Sequence, residues 1–96
     1  MQKKFKVVFS PSTLREIERL ETDTAIQLAK DIKSYLEISP LQIGKRRIKK
    51  LTGYNPPLYR LRSGDFRAYY RILPDSVVIL AMTHKKESEK YVKRIK

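Results

Sequence analysis

The residues with the most evident chemistry are arginines that alternate with other side chains between Tyr59 and Ile72. Two alternating runs flank Ser63-Gly64, a pattern typical of a β-hairpin. Because successive side chains of a strand point to opposite faces, the hairpin is predicted to have one apolar and one basic face. The apolar face comprises Tyr59, Leu61, Phe66, Ala68, Tyr70 and Ile72, and the basic face comprises Arg60, Arg62, Arg67, Tyr69 and Arg71. Guanidinium groups stay protonated and bind phosphate oxygens in pairs, so we interpret the basic face as a phosphate-binding surface.

The register of the hairpin strengthens this interpretation. A two-residue turn at Ser63-Gly64 predicts three opposed pairs: Leu61 with Phe66, Arg60 with Arg67, and Arg62 with Asp65. Like charges directly opposite each other destabilise a sheet. An anion lying across Arg60 and Arg67 would remove that penalty.

Basic side chains outside the two alternating runs are also predicted to bind phosphates, as contacts to an RNA strand. They are Lys45, Arg46, Arg47, Lys49, Lys50 and Lys86. For the run 45–50 the alternative is a solvated basic loop, or a strand with Ile48 and Leu51 pointing inward. Tyr69 is a candidate for stacking on a base. It could instead cover the aliphatic stems of the neighbouring arginines.

Composition indicates a single basic domain spanning residues 1–96. The formal net charge is +12, and residues 45–96 hold fifteen basic and four acidic side chains. This one-sided excess indicates a polyanionic partner, with nucleic acid preferred over an anionic membrane surface or a merely basic surface. The chain has no cysteine and one histidine, so we expect neither a disulfide nor a thiolate or all-histidine metal site, and no cofactor. We also expect a cytoplasmic location and no membrane span.

The predicted elements form an α+β layer fold. Phe5, Val7 and Phe9 alternate as in a short strand, and Ser10-Pro11 is a typical helix start. Leu14, Ile17 and Leu20 then share one face of a first helix, and a second helix carries an apolar stripe from Ala25 to Leu36 that ends before Pro40. The hairpin follows, then an apolar central strand over 77–82 and a short C-terminal helix or basic tail. The order β-α-α-β-β-β predicts two helices on one face of a mostly antiparallel sheet, with the arginine-bearing face left open.

Three segments together resemble the RelE/ParE toxin superfamily. They are Lys50-Leu51-x-Gly53, the run Leu58-Tyr59-Arg60-Leu61-Arg62-x-Gly64-Asp65-Phe66-Arg67-x-x-Tyr70, and His84-Lys85-Lys86-Glu87-x-x-x-Tyr91. The resemblance covers almost the whole chain and implies the toxin of a toxin–antitoxin pair. RelE-type members enter the ribosomal A site and cut mRNA, whereas ParE-type members poison DNA gyrase.

The RelE-type resemblance implies roles for individual residues. Arg60 and Arg62 would occupy two basic positions of the first hairpin strand, and Arg67 would hold the scissile phosphate. Lys85 would be the basic residue after the last strand, and Tyr91 the stacking or orienting tyrosine. In RelE itself a lysine is common at the position of Arg62 and an arginine at that of Lys85. Because arginine does not deprotonate, Arg62 cannot act as a general base, and Lys85 cannot bind two phosphate oxygens as a fork.

RNA cleavage would also require groups that transfer protons. Metal-independent cleavage uses the ribose 2′-OH as nucleophile, and it needs a proton acceptor, positive charge for the phosphorane and a proton donor for the leaving 5′-oxygen. Histidine is the side-chain type whose unperturbed pKa suits this exchange, so we predict His84 as the acid or base, with Lys85 or Tyr91 as its complement. The alternatives are that His84 only ends a strand and that Tyr91 packs a C-terminal helix.

The basic face and the resemblance together favour one function and leave two alternatives. The preferred hypothesis is a ribosome-dependent mRNA endoribonuclease. The others are a ParE-like gyrase inhibitor without nuclease activity and a non-enzymatic nucleic-acid-binding module. A toxin this basic is also predicted to have an acidic antitoxin, partly disordered until it folds on the toxin.

Overall fold

The computed structural model describes residues 4–37, 40 and 48–87, with Glu87 described by its backbone alone. The described elements are β1 (Lys6–Phe9), α1 (Pro11–Glu18), α2 (Thr22–Leu36), β2 (Ile48–Leu51), β3 (Leu58–Ser63), β4 (Phe66–Ile72), β5 (Ser76–His84) and a 3₁₀ turn (Lys85–Glu87). The five described strands form one sheet in the order β1-β5-β4-β3-β2. Only the β1–β5 pair of this sheet is parallel. The predicted α+β class, with two helices on a mostly antiparallel sheet, is confirmed.

The start of α1 is fixed by both its own cap and the neighbouring strand. Ser10 Oγ accepts a hydrogen bond from the Thr13 amide at 3.2 Å, and Pro11 occupies the first turn, where its missing N–H costs nothing. The Ser10 amide and the buried Thr13 hydroxyl both donate to the Ile79 carbonyl, at 3.0 and 3.1 Å. The predicted Ser10-Pro11 helix start is therefore confirmed, and it ties α1 to β5.

The core lies between the helices and one face of the sheet. Leu28, Ile32 and Leu36 of α2 are buried against the apolar face of the hairpin, as the helical spacing predicted. Burial of each such side chain stabilises the fold by about 1.5–3 kcal/mol. In α1, Leu14 is exposed, contrary to its predicted place in the apolar stripe, and Ile17 with Leu20 makes the contact with the core.

Tyr70 connects this core to the end of the helical layer. Its hydroxyl is buried and donates a 2.7 Å hydrogen bond to the Pro40 carbonyl. Its ring stacks on Tyr59, with the centroids 5.5 Å apart. Burial raises the pKa of Tyr70, and the nearby Tyr59 hydroxyl adds to the effect.

The hairpin turn differs from the prediction by one residue. Gly64 and Asp65 form the turn, so Ser63 lies opposite Phe66, and the predicted turn at Ser63-Gly64 is wrong. Gly64 has φ of +56°, and a two-residue hairpin favours glycine at the first turn position, where this backbone conformation is needed. The partner of each residue therefore differs from the predicted one by two positions. Because side chains alternate between the faces with a period of two, every residue stays on its predicted face.

The segment 48–51, left open as loop or strand, is the edge strand β2. It pairs antiparallel with β3, with Lys49 opposite Arg60 and Ile48 opposite Leu61. Ile48 is buried in the core, as the strand alternative predicted. Leu51 instead pairs with Leu58, whose side chain lies on the arginine-bearing face.

The arginine-bearing face is not open along its whole length, contrary to prediction. Leu58 and Tyr69 lie on this face and have no exposed surface. Arg62, by contrast, is exposed, and Arg60, Arg67 and Arg71 are partly exposed. Access to the basic groups is therefore concentrated at the end of the hairpin that carries Arg62. Within the described ranges, no helix combines the length and apolar character needed to cross a membrane.

Candidate nucleic-acid interface

The sheet face that points away from the helices gathers most of the predicted site residues that the structure describes. We call it the arginine face. It comprises Lys49, Arg60, Arg62, Arg67, Tyr69, Arg71 and Thr83, as the strand registers and alternation require. Two rows of neighbours cross the strands: Lys49–Arg60–Tyr69 and Arg62–Arg67–Thr83.

Two arginines lie directly opposite each other, as predicted, but they are not the predicted pair. Arg62 lies opposite Arg67, and Arg60 lies opposite Tyr69. The predicted pairings of Arg60 with Arg67 and of Arg62 with Asp65 are wrong because the turn begins one residue later. The physical consequence is unchanged, since opposed like charges on neighbouring strands repel each other.

The repulsion among the arginines affects the pKa of Arg67. Burial lowers the pKa of its guanidinium, and the positive charges of Arg60 and Arg62 lower it further, while Tyr69 and Asp65 act in the opposite direction. An arginine remains protonated in proteins despite such shifts. The lowered pKa therefore reports a positive charge held in unfavourable surroundings, which a bound anion would improve.

The Gly64-Asp65 turn positions Arg67 and Lys85 at the same end of the sheet. Arg67 Nη1 donates to the carbonyl oxygens of Gly64 and Phe66, at 3.2 and 3.0 Å. The Lys85 amide donates to the Asp65 carbonyl at 2.7 Å, and Lys85 Nζ lies 3.4 Å from Asp65 Oδ1. Both side chains of this ion pair are at least half exposed, so it contributes about 0–1 kcal/mol and can open at low cost.

His84 lies on the opposite side of the sheet from the arginines. It pairs with Phe66, and its ring meets the Phe66 ring edge-on with the centroids 5.5 Å apart. Its Nδ1 accepts a hydrogen bond from the Lys86 amide at 3.2 Å. The structure therefore does not bring His84 together with Arg62 and Arg67, because adjacent residues of a strand point to opposite faces. Its catalytic role stays a prediction that this placement disfavours.

The remaining predicted contacts fall into three groups. Tyr69 is fully buried and presents no ring face to a base, so its stacking role stays a prediction that this placement disfavours. Lys49, Lys50 and Lys86 are exposed, although Lys50 lies opposite Tyr59 and so belongs to the helix side of the sheet. The residues Lys45, Arg46, Arg47 and Tyr91 lie outside the described residues, and their roles stay predictions.

Unsatisfied polar atoms mark the arginine face. Arg60 Nε, Arg71 Nε and Thr83 Oγ1 are buried and have no hydrogen-bond partner in the part of the chain that the structure describes. Thr83 is not among the site residues predicted from the sequence. Its position beside Arg67 depends on the register of β5, which an apolar run does not reveal. Among the described residues, no three histidine, cysteine or acidic side chains are grouped as a metal site would require.

Comparison with known proteins agrees with the fold. The family model described as the ParE toxin of the type II toxin–antitoxin system parDE matches residues 7–89. No curated protein sequence matches the chain.

Several solved protein structures have a similar fold. The toxin–antitoxin complex RelBE2 of Mycobacterium tuberculosis has 24% identity, covers 88% of this chain and 94% of that chain, and gives a TM-score of 0.74. The RelE–RelB complex of Pyrococcus horikoshii has 22% identity, with 85% and 96% covered and a TM-score of 0.70. A mutant of the E. coli toxin RelE in the free state has 24% identity, with 97% and 99% covered and a TM-score of 0.62. These structures share the fold of the chain, and the family match over residues 7–89 shows that it belongs to the RelE/ParE superfamily of toxins from type II toxin–antitoxin systems.

Proposed function

We propose that this toxin binds a strand of mRNA across the arginine face and cuts it on the ribosome. The observation that carries the proposal is the convergence of Arg60, Arg62 and Arg67 on one sheet face, with Arg62 directly opposite Arg67. Burial lowers the pKa of Arg67, and the positive charges of Arg60 and Arg62 lower it further. A phosphodiester strand supplies anions at regular intervals and would relieve this repulsion. The similarity in fold to RelE toxins supports RNA as the polyanion.

The described residues provide two of the three requirements for cleavage by the 2′-OH. Arg62 and Arg67 lie side by side and would stabilise the negative charge that develops as the 2′-oxygen attacks phosphorus. Lys85 lies at the same end of the sheet and would give a proton to the 5′-oxygen as its bond to phosphorus breaks. The proton of the 2′-OH also needs an acceptor. Tyr91 is the candidate, because His84 lies across the sheet from the arginines.

An antitoxin partner follows from the same charge distribution. The similar complexes from Mycobacterium tuberculosis and Pyrococcus horikoshii contain an antitoxin with the toxin. With a net charge of +12, this chain is suited to a partner that is acidic. We infer that an acidic antitoxin neutralises it in the cytoplasm, with a segment that folds on binding.

Two observations favour a second candidate, inhibition of DNA gyrase without nuclease activity. The matching family model is that of ParE toxins. In addition, His84, the one histidine of the chain, lies away from the arginines. A gyrase inhibitor would need a charged surface but no proton-transfer groups beside it.

A direct experiment separates the two candidates. The purified chain is added to ribosomes programmed with a defined mRNA, and primer extension maps new RNA ends; in parallel, gyrase and supercoiled plasmid are tested for cleaved DNA complexes. We expect mRNA cleavage by the native chain and by Arg15→Ala, which removes an exposed cation from α1. Arg67→Ala should abolish it. Intact mRNA together with accumulated gyrase–DNA complexes would refute the proposal and support the second candidate.

A further inference from the structure

Thr83 occupies the third place in a row of neighbours on the arginine face. It lies opposite Arg67 on β4, and Arg67 in turn lies opposite Arg62 on β3. All three side chains therefore project from the same face. Side chains directly opposite each other on neighbouring strands have Cβ atoms about 4.5–5.5 Å apart. A phosphate held by the two arginines thus lies within reach of the Thr83 side chain.

The hydroxyl of Thr83 lacks the hydrogen bond that a buried hydroxyl normally has. Thr83 Oγ1 is buried and has no partner in the described part of the chain. The contrast with Thr13 is informative, because the buried Thr13 hydroxyl donates to the Ile79 carbonyl at 3.1 Å. Leaving a buried polar group unpaired costs free energy, and each case in a native fold calls for an explanation.

The surroundings of Thr83 indicate which kind of group is missing. Its row neighbours, Arg67 and Arg62, have side chains with hydrogen-bond donors and no acceptors. The hydroxyl hydrogen therefore finds no acceptor along its row. A phosphate oxygen would supply that acceptor and would at the same time receive hydrogen bonds from the guanidinium groups.

We propose that Thr83 is a third ligand of the phosphate bound by Arg62 and Arg67, donating its hydroxyl hydrogen to a non-bridging oxygen. The proposal rests on the proposed binding of an RNA strand to this face. In the free chain Arg67 Nη1 is engaged with the carbonyl oxygens of Gly64 and Phe66. On binding, the Arg67 guanidinium would turn from these carbonyls to the phosphate, and the buried Thr83 hydroxyl would become accessible to it.

The test uses two substitutions that separate the hydroxyl from the shape of the side chain. Thr83→Val keeps the branched shape without the hydroxyl, whereas Thr83→Ser keeps the hydroxyl. Affinity of the purified chain is measured by fluorescence anisotropy with a short labelled single-stranded RNA, and inorganic phosphate is used as a competitor. Thermal unfolding of each variant is followed in parallel.

We expect Thr83→Val to bind RNA and phosphate about tenfold more weakly, as the loss of a hydrogen bond to a charged group predicts. Its Tm should equal or exceed that of the native chain, because an unpaired buried hydroxyl is replaced by a methyl group. Thr83→Ser should keep native affinity.

Two results would overturn the inference. One is native affinity in Thr83→Val while Arg67→Ala loses binding, which would leave the proposed RNA-binding face intact and remove Thr83 from it. The other is an equal loss of affinity and Tm in both Thr83 variants, which would show a packing role. Native binding by Arg67→Ala and Arg62→Ala would instead refute the proposed function itself.

Discussion

Removing one of two opposed arginines should have opposite effects on stability and on binding. Arg62 and Arg67 face each other on β3 and β4, and Arg62 is the more exposed of the two. We expect Arg62→Gln to stabilise the chain, because opposed like charges on a sheet cost about 0.2–1 kcal/mol. For a domain of this size that range corresponds to a rise in Tm of roughly 1–8 °C.

The same substitution should weaken RNA binding. If Arg62 contacts one phosphate, its loss lowers the slope of log affinity against log salt concentration by about 0.7, the value for a single strand. The assays are thermal unfolding by circular dichroism and anisotropy titrations over a series of salt concentrations. Arg15→Gln is the matched control, since it removes an exposed arginine from α1.

A clear pattern would contradict this reasoning. A drop in Tm for Arg62→Gln larger than that for Arg15→Gln would show that Arg62 stabilises the hairpin rather than straining it. A salt slope equal to that of the native chain would show that Arg62 contacts no phosphate. Either result would remove the main physical argument for an anion on this face.

Three further predictions follow from individual contacts. Tyr70→Phe removes the hydrogen bond to Pro40 and should lower the free energy of unfolding by about 1–3 kcal/mol in denaturant titrations, because the buried carbonyl loses its partner. Since the pKa of Tyr70 is raised in the folded chain, only the unfolded state loses this proton just above pH 10. The native chain should therefore lose stability above that pH more steeply than Tyr70→Phe, and parallel curves would contradict the pKa argument. Gly64→Ala should destabilise by about 1–2 kcal/mol through its positive φ alone, since an added Cβ would meet no atom within 4 Å; Gly64→Asn should cost less, and equal losses would refute the assignment to backbone conformation. His84→Gln should keep most of the mRNA cleavage rate, because the side chain lies across the sheet from the arginines, whereas loss of a true acid or base lowers rates by about 100-fold or more.

The sequence was sufficient to predict which hairpin side chains lie on each face of the sheet, because this depends only on the alternation of side chains along a strand. A shift of two residues in pairing changes which arginine opposes Arg67 but moves no side chain to the other face. The start of α1 could also be predicted, since Ser10 and Pro11 satisfy local requirements of the first helical turn. These features depend on neighbours in the chain.

Other features depend on tertiary contacts and could not be predicted. The predicted turn includes Ser63, but in the structure its hydroxyl donates a 2.7 Å hydrogen bond to Asp31 Oδ2 of α2, and Ser63 belongs to the buried end of β3. The separation of His84 from the arginines follows from its pairing with Phe66. β4 and β5 also change register near Tyr69, which the apolar run of β5 conceals. Burial of Tyr69 on a face expected to be open was likewise invisible in the sequence.

The central claim is that the guanidinium groups of the arginine face hold the phosphates of an RNA strand. NMR titration of the isotope-labelled chain with a short single-stranded RNA, observed at the arginine Nε–H signals, tests it most directly. We predict that the signals of Arg62 and Arg67 shift together and saturate, while those of Arg15 and Arg19 on the helical side stay in place. Shifts of equal size at all arginines, or shifts confined to Arg15 and Arg19, would contradict the claim.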